Sequence, residues 1–318
     1  FLYFANLTSI LQQIPSPPFS AAFADIIALP CFRTTPAMLS YRHAFHAGNH
    51  ADMLKHFTLF LTLEYFNLKD KPYWYIDTHS GAGLYDLRGE QAQKVGEYRQ
   101  GIARLLQADA LPSDLSDFTG RLKEILPDEN LYCGSPWLAR FLTRDCDKLR
   151  LFELHPADFA HLQNNMKEAR LGKRGQIAQA DGYRGLISLL PPPPRRAVVL
   201  IDPPYEEKQD YRRVVQTLQD ALKRFESGCY LVWYPCLNRE ESRKMPEQLK
   251  KLMPENYLQA ELYVYKARED GFGMHGSGML VINPPYLLAK KLADTLPKLT
   301  EILAQDDAAR FVLDYQIK

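Results

Sequence analysis

The sequence carries no excess of either charge: 39 Lys and Arg stand against 38 Asp and Glu, a formal net charge of +1 at pH 7. A protein coated throughout in basic residues, as a nonspecific nucleic-acid packager is, is thereby excluded, whereas a basic face confined to part of the surface is not. Cysteine is scarce. Cys31, Cys133, Cys146, Cys229 and Cys236 include no C-x-x-C pair, which argues against a zinc ribbon or a dithiol redox motif. Scattered thiols in odd number fit the reducing cytoplasm better than a disulfide scaffold. No run reaches the ~20 apolar residues of a membrane span. Repeats and low-complexity tracts are absent too, apart from the four prolines at 191–194, read as a stiff connector.

What is present is ordinary for a globular protein: 46% hydrophobic and 24% charged residues over 318 positions. That length fits two domains, or one large α/β domain with an insert. Residues 1–37 stand apart. Their only charges are Asp25 and Arg33, and Gln12, Gln13, Pro15, Pro17 and Pro18 interrupt any apolar core, so the segment lacks the make-up of a secretory signal. Met38 opens a dense polar and aromatic pattern. Residues 1–37 are therefore expected to be a disordered upstream extension, with Met38 the working start; their deletion should leave fold and activity unchanged.

From residue 69 onward, apolar runs alternate with amphipathic stretches. Strands are expected at 73–76, 149–152, 176–179, 197–201, 230–233, 261–265 and 279–282. Helices are expected at 48–68, 137–143, 157–167, 211–225 and 239–252. Such alternation predicts a doubly wound parallel sheet. The last two strands are joined by too short a segment for a helical crossover and read as an antiparallel hairpin. Seven strands with the last reversed is the layout of a class I, Rossmann-like methyltransferase. The interval from Thr78 to Leu149 is too long for one βα unit. Residues 86–131 within it, with helical patterns at 97–107 and 115–126, read as a small helical insertion. The domain proper is expected over 38–292, followed by a helical tail at 293–318.

The motif richest in chemistry is Asp202-Pro203-Pro204-Tyr205, at the carboxyl end of the strand 197–201. An exocyclic amine on a purine is a poor nucleophile, because its lone pair is delocalised into the ring. A carboxylate such as Asp202 and the carbonyl of Pro203 can accept its two N–H bonds and draw the nitrogen toward tetrahedral geometry, each charge-assisted bond contributing ~1.5–3 kcal/mol. Tyr205 is expected to stack on a flipped-out base. Alignment of amine and methyl donor can supply ~7–11 kcal/mol, so positioning should outweigh basicity. A second copy, Asn283-Pro284-Pro285-Tyr286, follows the reversed strand. Its carboxyl end points away from where ligands sit in such sheets, so it is read as a structural turn.

Residues 77–83, Asp-Thr-His-Ser-Gly-Ala-Gly, follow the first strand. The third glycine of a dinucleotide fingerprint is missing, Asp86 standing in its place, which argues against a nicotinamide oxidoreductase. The shorter loop suffices for S-adenosylmethionine, which has no phosphate to cradle. Glu153 ends the second strand, where an acid accepts from ribose hydroxyls. Asp181 and Gly182 end the third, where a carboxylate can meet the adenine amine. Ser135 and Pro136 read as an N-cap and first helical residue, placing Ser135 to face the methionine carboxylate. His43, His46, His50 and His56 lack metal-ligand spacing, so no metal is expected; cofactor clamping or RNA contact suits them better. The loop 266–276, with Arg268 and His275, mixes basic, aromatic and glycine residues and is expected to contact RNA, with Arg42, Arg212 and Arg213 on the same face.

The string from Met38 to His56 resembles the opening of the RlmJ family of bacterial 23S ribosomal RNA adenine-N6 methyltransferases. The motifs at 77–83, 134–136, 153–156, 180–182 and 202–205 follow in that family's order, and the resemblance extends to about Tyr286. It implies S-adenosylmethionine held by His56, His79, Ser135, Glu153, Asp181 and Gly182, Asp202 as the catalytic acid residue, and Tyr41 as an RNA contact. The expected activity is methylation of N6 of one adenine in 23S ribosomal RNA by a cytoplasmic, metal-free, monomeric enzyme with no obligate protein partner. The alternatives are a DNA adenine methyltransferase, disfavoured because no dedicated target-recognition domain is evident, and a non-catalytic nucleic-acid binder with a relict pocket.

Overall fold

A computed structural model of the chain describes residues 42–270 and 273–318; the extension at 1–37 and Tyr41 lie outside the described residues. Helix α1 (His50–Asn67) opens the described fold, capped by Asn49, whose side chain accepts from the backbone N–H of Ala51 and Asp52. It is buried on every side from His50 to Leu63, so its charged residues point into the protein. Strand β1 (Trp74–Asp77) follows. Next comes the insertion, bracketed by two short strands, β2 (Leu84–Asp86) and β3 (Leu131–Cys133), paired antiparallel. Between them lie α2 (Glu90–Val95), α3 (Ile102–Gln107) and α4 (Ser113–Ile125). Three-residue strands are too short to leave a periodic signal, so the sequence showed only the helices.

The chain then alternates: α5 (Ser135–Leu142), β4 (Lys148–Phe152), α6 (Pro156–Glu168), β5 (Gly175–Ala178), α7 (Gly182–Leu189), β6 (Ala197–Ile201), α8 (Lys208–Arg224), β7 (Cys229–Cys236) and α9 (Glu240–Lys250). It closes with β8 (Tyr257–Tyr263), β9 (Gly276–Ile282), α10 (Leu288–Leu303) and β10 (Arg310–Gln316). The sheet order is β10-β8-β9-β7-β6-β1-β4-β5. Strands β7, β6, β1, β4 and β5 run parallel; β9 runs antiparallel between β7 and β8. This is the expected methyltransferase-like α/β fold with its reversed strand.

Two expectations are corrected. The sixth strand begins at Tyr257 rather than 261, because Leu258, Ala260 and Leu262 all face the core. The tail is not wholly helical: α10 starts at Leu288, and residues 310–316 form an eighth strand paired with β8. Its sequence, Arg-Phe-Val-Leu-Asp-Tyr-Gln, favours strand through its aromatic and branched residues. Apolar cores fill both faces of the sheet. Helices α1, α5, α6 and α10 and the insertion contribute to one, and α7, α8 and α9 to the other. No helix among the described residues is long and apolar enough to cross a membrane.

Candidate active site

The carboxyl ends of β1, β4, β5 and β6 bring the motif residues to one edge of the sheet, the place expected for a ligand in a doubly wound fold. The loop after β1 turns on Gly81 and Gly83, both with positive φ, which a side chain would resist. Its backbone is tied to neighbouring strands: Thr78 N–H donates to Leu200 O at 3.1 Å and Ser80 N–H to Phe152 O at 2.8 Å. Asp77, fully buried, accepts from Tyr75 Oη at 2.7 Å and from Ser135 Oγ at 2.6 Å. Burial pushes its carboxyl up to about 6.

Ser135 is buried and spends its hydroxyl on Asp77. The expected N-cap is displaced by one residue: Gly134 holds that position and Ser135 is the first helical residue. Glu153 takes one backbone N–H on each oxygen, from Gly81 at 2.8 Å and His155 at 2.7 Å. A carboxylate has about four acceptor sites, so both oxygens retain capacity for a diol. Burial raises its pKa. Asp181 caps α7 through Tyr183 N–H and Arg184 N–H, and its other oxygen meets Arg213 at 2.7 Å. Gly182 is small for a packing reason: a Cβ there would lie 1.8 Å from the Thr78 carbonyl. His79 sits edge-on to Tyr183 at 4.8 Å, and burial lowers its pKa to about 3. The remaining acceptor capacity of these carboxylates fits the hydroxyls and amine of an adenosine-bearing cofactor.

His56 lies on α1, next in sequence to Lys55. Its Nδ1 is 2.6 Å from Tyr132 Oη, while its buried Nε2 has no partner among the described residues. Burial lowers its pKa to about 3, so the ring is neutral.

Asp202 ends β6 with its side chain 14% exposed. Its Oδ2 is 2.7 Å from Lys55 Nζ, which also reaches Asp52 Oδ1 at 2.8 Å. Burial alone would strip the charge from Lys55; Asp202 and Asp52 outweigh it and raise its pKa. Asp52 in turn accepts from Gly48 N–H at 2.8 Å and meets His43 at 2.9 Å. Burial works to raise the pKa of Asp52, but His43 and Lys55 hold its carboxyl well below the usual range. Neither Asp202 Oδ1 nor the Pro203 carbonyl has a hydrogen-bond partner among the described residues. The protein itself therefore engages neither of the acceptors proposed for an amine.

Tyr205 requires a correction. Its backbone has a φ of 52°, and its ring turns inward to lie 3% exposed between Tyr211 and Trp233. Its hydroxyl donates to the Trp233 carbonyl at 2.6 Å. The ring therefore offers no open face to a base; it pins the loop that carries Asp202. Lys55 and Trp233 are the residues that motif reading missed. Lys55 lies within the matched string from Met38 to His56, and a lysine amid buried helical positions was the available signal. Trp233 stands beside Lys55, its ring centroid 5.7 Å from Nζ and its buried Nε1 without a partner among the described residues.

Asn283, by contrast, sits at the amino end of β7, where its Nδ2 donates to the Glu226 and Gly228 carbonyls at 2.7 Å each. That is the opposite end of the sheet from Asp202, in agreement with a turn. Arg268 lies on the loop between β8 and β9, whose base closes where Val264 N–H donates to His275 O. The register Tyr263–Gly276–Cys236 places this loop at the site end of the sheet. Among the described residues no cluster of three or more His, Cys, Asp or Glu could hold a metal.

Residues 70–315 match the family described as ribosomal RNA large subunit methyltransferase D, RlmJ. A relative from Escherichia coli K12, ribosomal RNA large subunit methyltransferase J, is 45% identical over 262 residues, 82% of this chain and 92% of that one. A relative of the same name from Haemophilus influenzae is 40% identical over 281 residues, 87% of this chain and 99% of that one. A crystal structure of a Legionella pneumophila protein superposes with a TM-score of 0.78 at 33% identity, covering 86% of this chain and 99% of that one.

Proposed function

The chain belongs to the RlmJ family of ribosomal RNA large subunit methyltransferases, and from that premise we propose that it methylates the exocyclic N6 of one adenine in 23S ribosomal RNA. The observation that carries the choice of an amine is the pair of acceptors, Asp202 Oδ1 and the Pro203 carbonyl, that lie after β6 with no hydrogen-bond partner among the described residues. The methyl group comes from S-adenosylmethionine, whose sulfonium supplies an activated carbon for direct displacement. Glu153 holds the ribose diol, Asp181 the adenine amine, and His56, His79, Ser135 and Gly182 shape the pocket around them.

The protein's own work is positional. Lys55 fixes one Asp202 oxygen, which orients the other toward the incoming amine. The two acceptors draw the N6 hydrogens out of the purine plane, and the lone pair then faces the methyl donor. After transfer the nitrogen carries a positive charge and becomes acidic, so the Asp202 carboxylate can take the proton late. No metal is needed in that sequence. Tyr41 and Arg268 contact the RNA, and the adenine must leave its stack to reach Asp202, at a cost of a few kcal/mol offset by those contacts. The enzyme acts as a monomer in the cytoplasm.

Tritiated S-adenosylmethionine incubated with 23S RNA, 16S RNA and duplex DNA tests the reading. Label in 23S RNA alone, recovered after digestion as N6-methyladenosine, is the expected result. Label in DNA, or in another nucleoside, would contradict it.

A further inference from the structure

The positive charge that an RNA substrate calls for is not gathered at the catalytic edge. Of the arginines expected there, Arg42 is matched by Asp158 at 3.3 Å, Arg213 by Asp181 at 2.7 Å and Arg268 by Asp270 at 3.0 Å, which leaves Arg212 alone without an ion pair among the described residues. The opposite end of the sheet differs. Segments 69–71, 140–150, 167–174 and 195–196 lie at or just before the amino ends of β1, β4, β5 and β6. They hold twelve Lys and Arg against four Asp and Glu, in a chain whose net charge is only +1.

Five of these cations, Arg140, Arg144, Arg150, Arg174 and Arg196, form a belt tied together through the segments' own backbone carbonyls. Arg196 donates to the Lys71 carbonyl at 2.7 Å, and Arg144 to the Lys69 and Lys71 carbonyls at 2.9 and 2.8 Å. Arg174 donates to the Arg140 carbonyl at 3.3 Å, and Arg140 to the Arg170 carbonyl at 3.1 Å. The guanidiniums are thus fixed in place by backbone oxygens, which leave their charge uncancelled. Among the described residues, only Arg144 and Arg174 of these meet acids, Asp147 and Asp145. Between them project exposed Lys71, Lys173 and Arg195, whose side chains have no ion pair or hydrogen bond among the described residues. Like charges concentrated without counter-charge repel one another, and a polyanion relieves that repulsion while releasing its own counterions.

We infer that the amino ends of these strands form a second RNA-docking surface, which holds backbone phosphates of a 23S segment other than the one delivering the target adenine. The inference rests on the ribosomal RNA reading above. At ~3.3 Å per residue, β6 alone separates this surface from Asp202 by ~17 Å, so the same nucleotide cannot occupy both. The belt offers no base-reading pocket, and its binding is sequence-independent.

The test combines Lys71→Glu, Lys173→Glu and Arg195→Glu, three exposed side chains that bond to nothing in the fold. Binding is titrated against salt for full-length 23S RNA and for a short hairpin around the methylated adenine. Full-length RNA should bind at least about tenfold more weakly, with the salt slope reduced by about one per lost cation. Hairpin affinity and turnover should stay within twofold of the parent. Unchanged affinity and slope on full-length RNA, or an equal loss on the hairpin, overturns the proposal. If the parent transfers no methyl group to 23S RNA, the functional reading fails in its own arm, while the full-length titration, which needs no transfer, still reads the belt.

Discussion

Lys55 Nζ lies 2.7 Å from Asp202 Oδ2, although the two residues are 147 positions apart. The pair joins the buried helix α1 to the loop that ends β6. Lys55 also holds Asp52 at 2.8 Å, so one ammonium separates two carboxylates, one structural and one facing the site. The side chain of Lys55 is 6% exposed, and water screens the three charges little.

Lys55→Met should therefore destabilise the protein by about 3–5 kcal/mol, because it leaves buried carboxylates without their cation. Adding Asp52→Asn should restore a good part of that loss, since one of the two stranded charges is then gone. Urea unfolding of the two variants checks this. Equal instability of the single and double variants would mean that packing, and not charge, is what Lys55 supplies.

Much of this site was legible from sequence. The strand-end positions of Glu153 and Asp202 follow from apolar runs that stop at an acid, Asp181 follows a weaker strand signal, and the parallel order places such ends together. Lys55 was not legible as a partner of Asp202, because nothing local in α1 marks which strand it meets. Tyr205 was misread for a related reason: a strand-end tyrosine can turn outward or inward, and only the positive φ and the Trp233 carbonyl decide. In the fold, β8 and β10 define each other's limits through pairing, a non-local effect that pattern reading does not see.

Stability should fall on mild acidification. His56 is held neutral, with its pKa lowered to about 3, and His50 likewise to about 4, both by burial. The unfolded chain takes those protons below about pH 6.5. Each ring thus contributes stability that is fully present above pH 6.5 and is lost as the pH falls toward its folded value, at up to ~1.4 kcal/mol per pH unit. Asp77 runs the other way: with its carboxyl at about 6, the folded state holds a proton the unfolded state has shed, so acidification from pH 6 to 4 offsets part of the loss. Melting temperatures of the parent and His56→Gln between pH 7 and 4 should show a shallower fall for the variant. Parallel curves would place the acid sensitivity elsewhere.

Asn283→Ala should cost stability without changing the chemistry. The substitution removes bonds to Glu226, Gly228 and Asn256 and puts a Cβ-bearing residue without polar reach at a φ of 53°. A loss of about 2–3 kcal/mol follows from the stranded carbonyls and the strain. Turnover per folded molecule should match the parent. A variant that folds as the parent does but has lost its turnover would make the second motif part of the catalytic machinery.

Asp202 acts as an acceptor for the amine and not as a cofactor ligand if the proposed mechanism holds. Asp202→Asn keeps the shape and weakens the acceptor, while also loosening the contact with Lys55. Single-turnover methyl transfer to 23S RNA, measured beside equilibrium binding of S-adenosylmethionine and of the RNA, separates the two roles. Loss of a charge-assisted bond of ~1.5–3 kcal/mol predicts a transfer rate lower by about 10- to 150-fold, with both affinities within threefold of the parent. A rate that is unchanged, or one that falls only as far as cofactor affinity falls, would contradict the central claim.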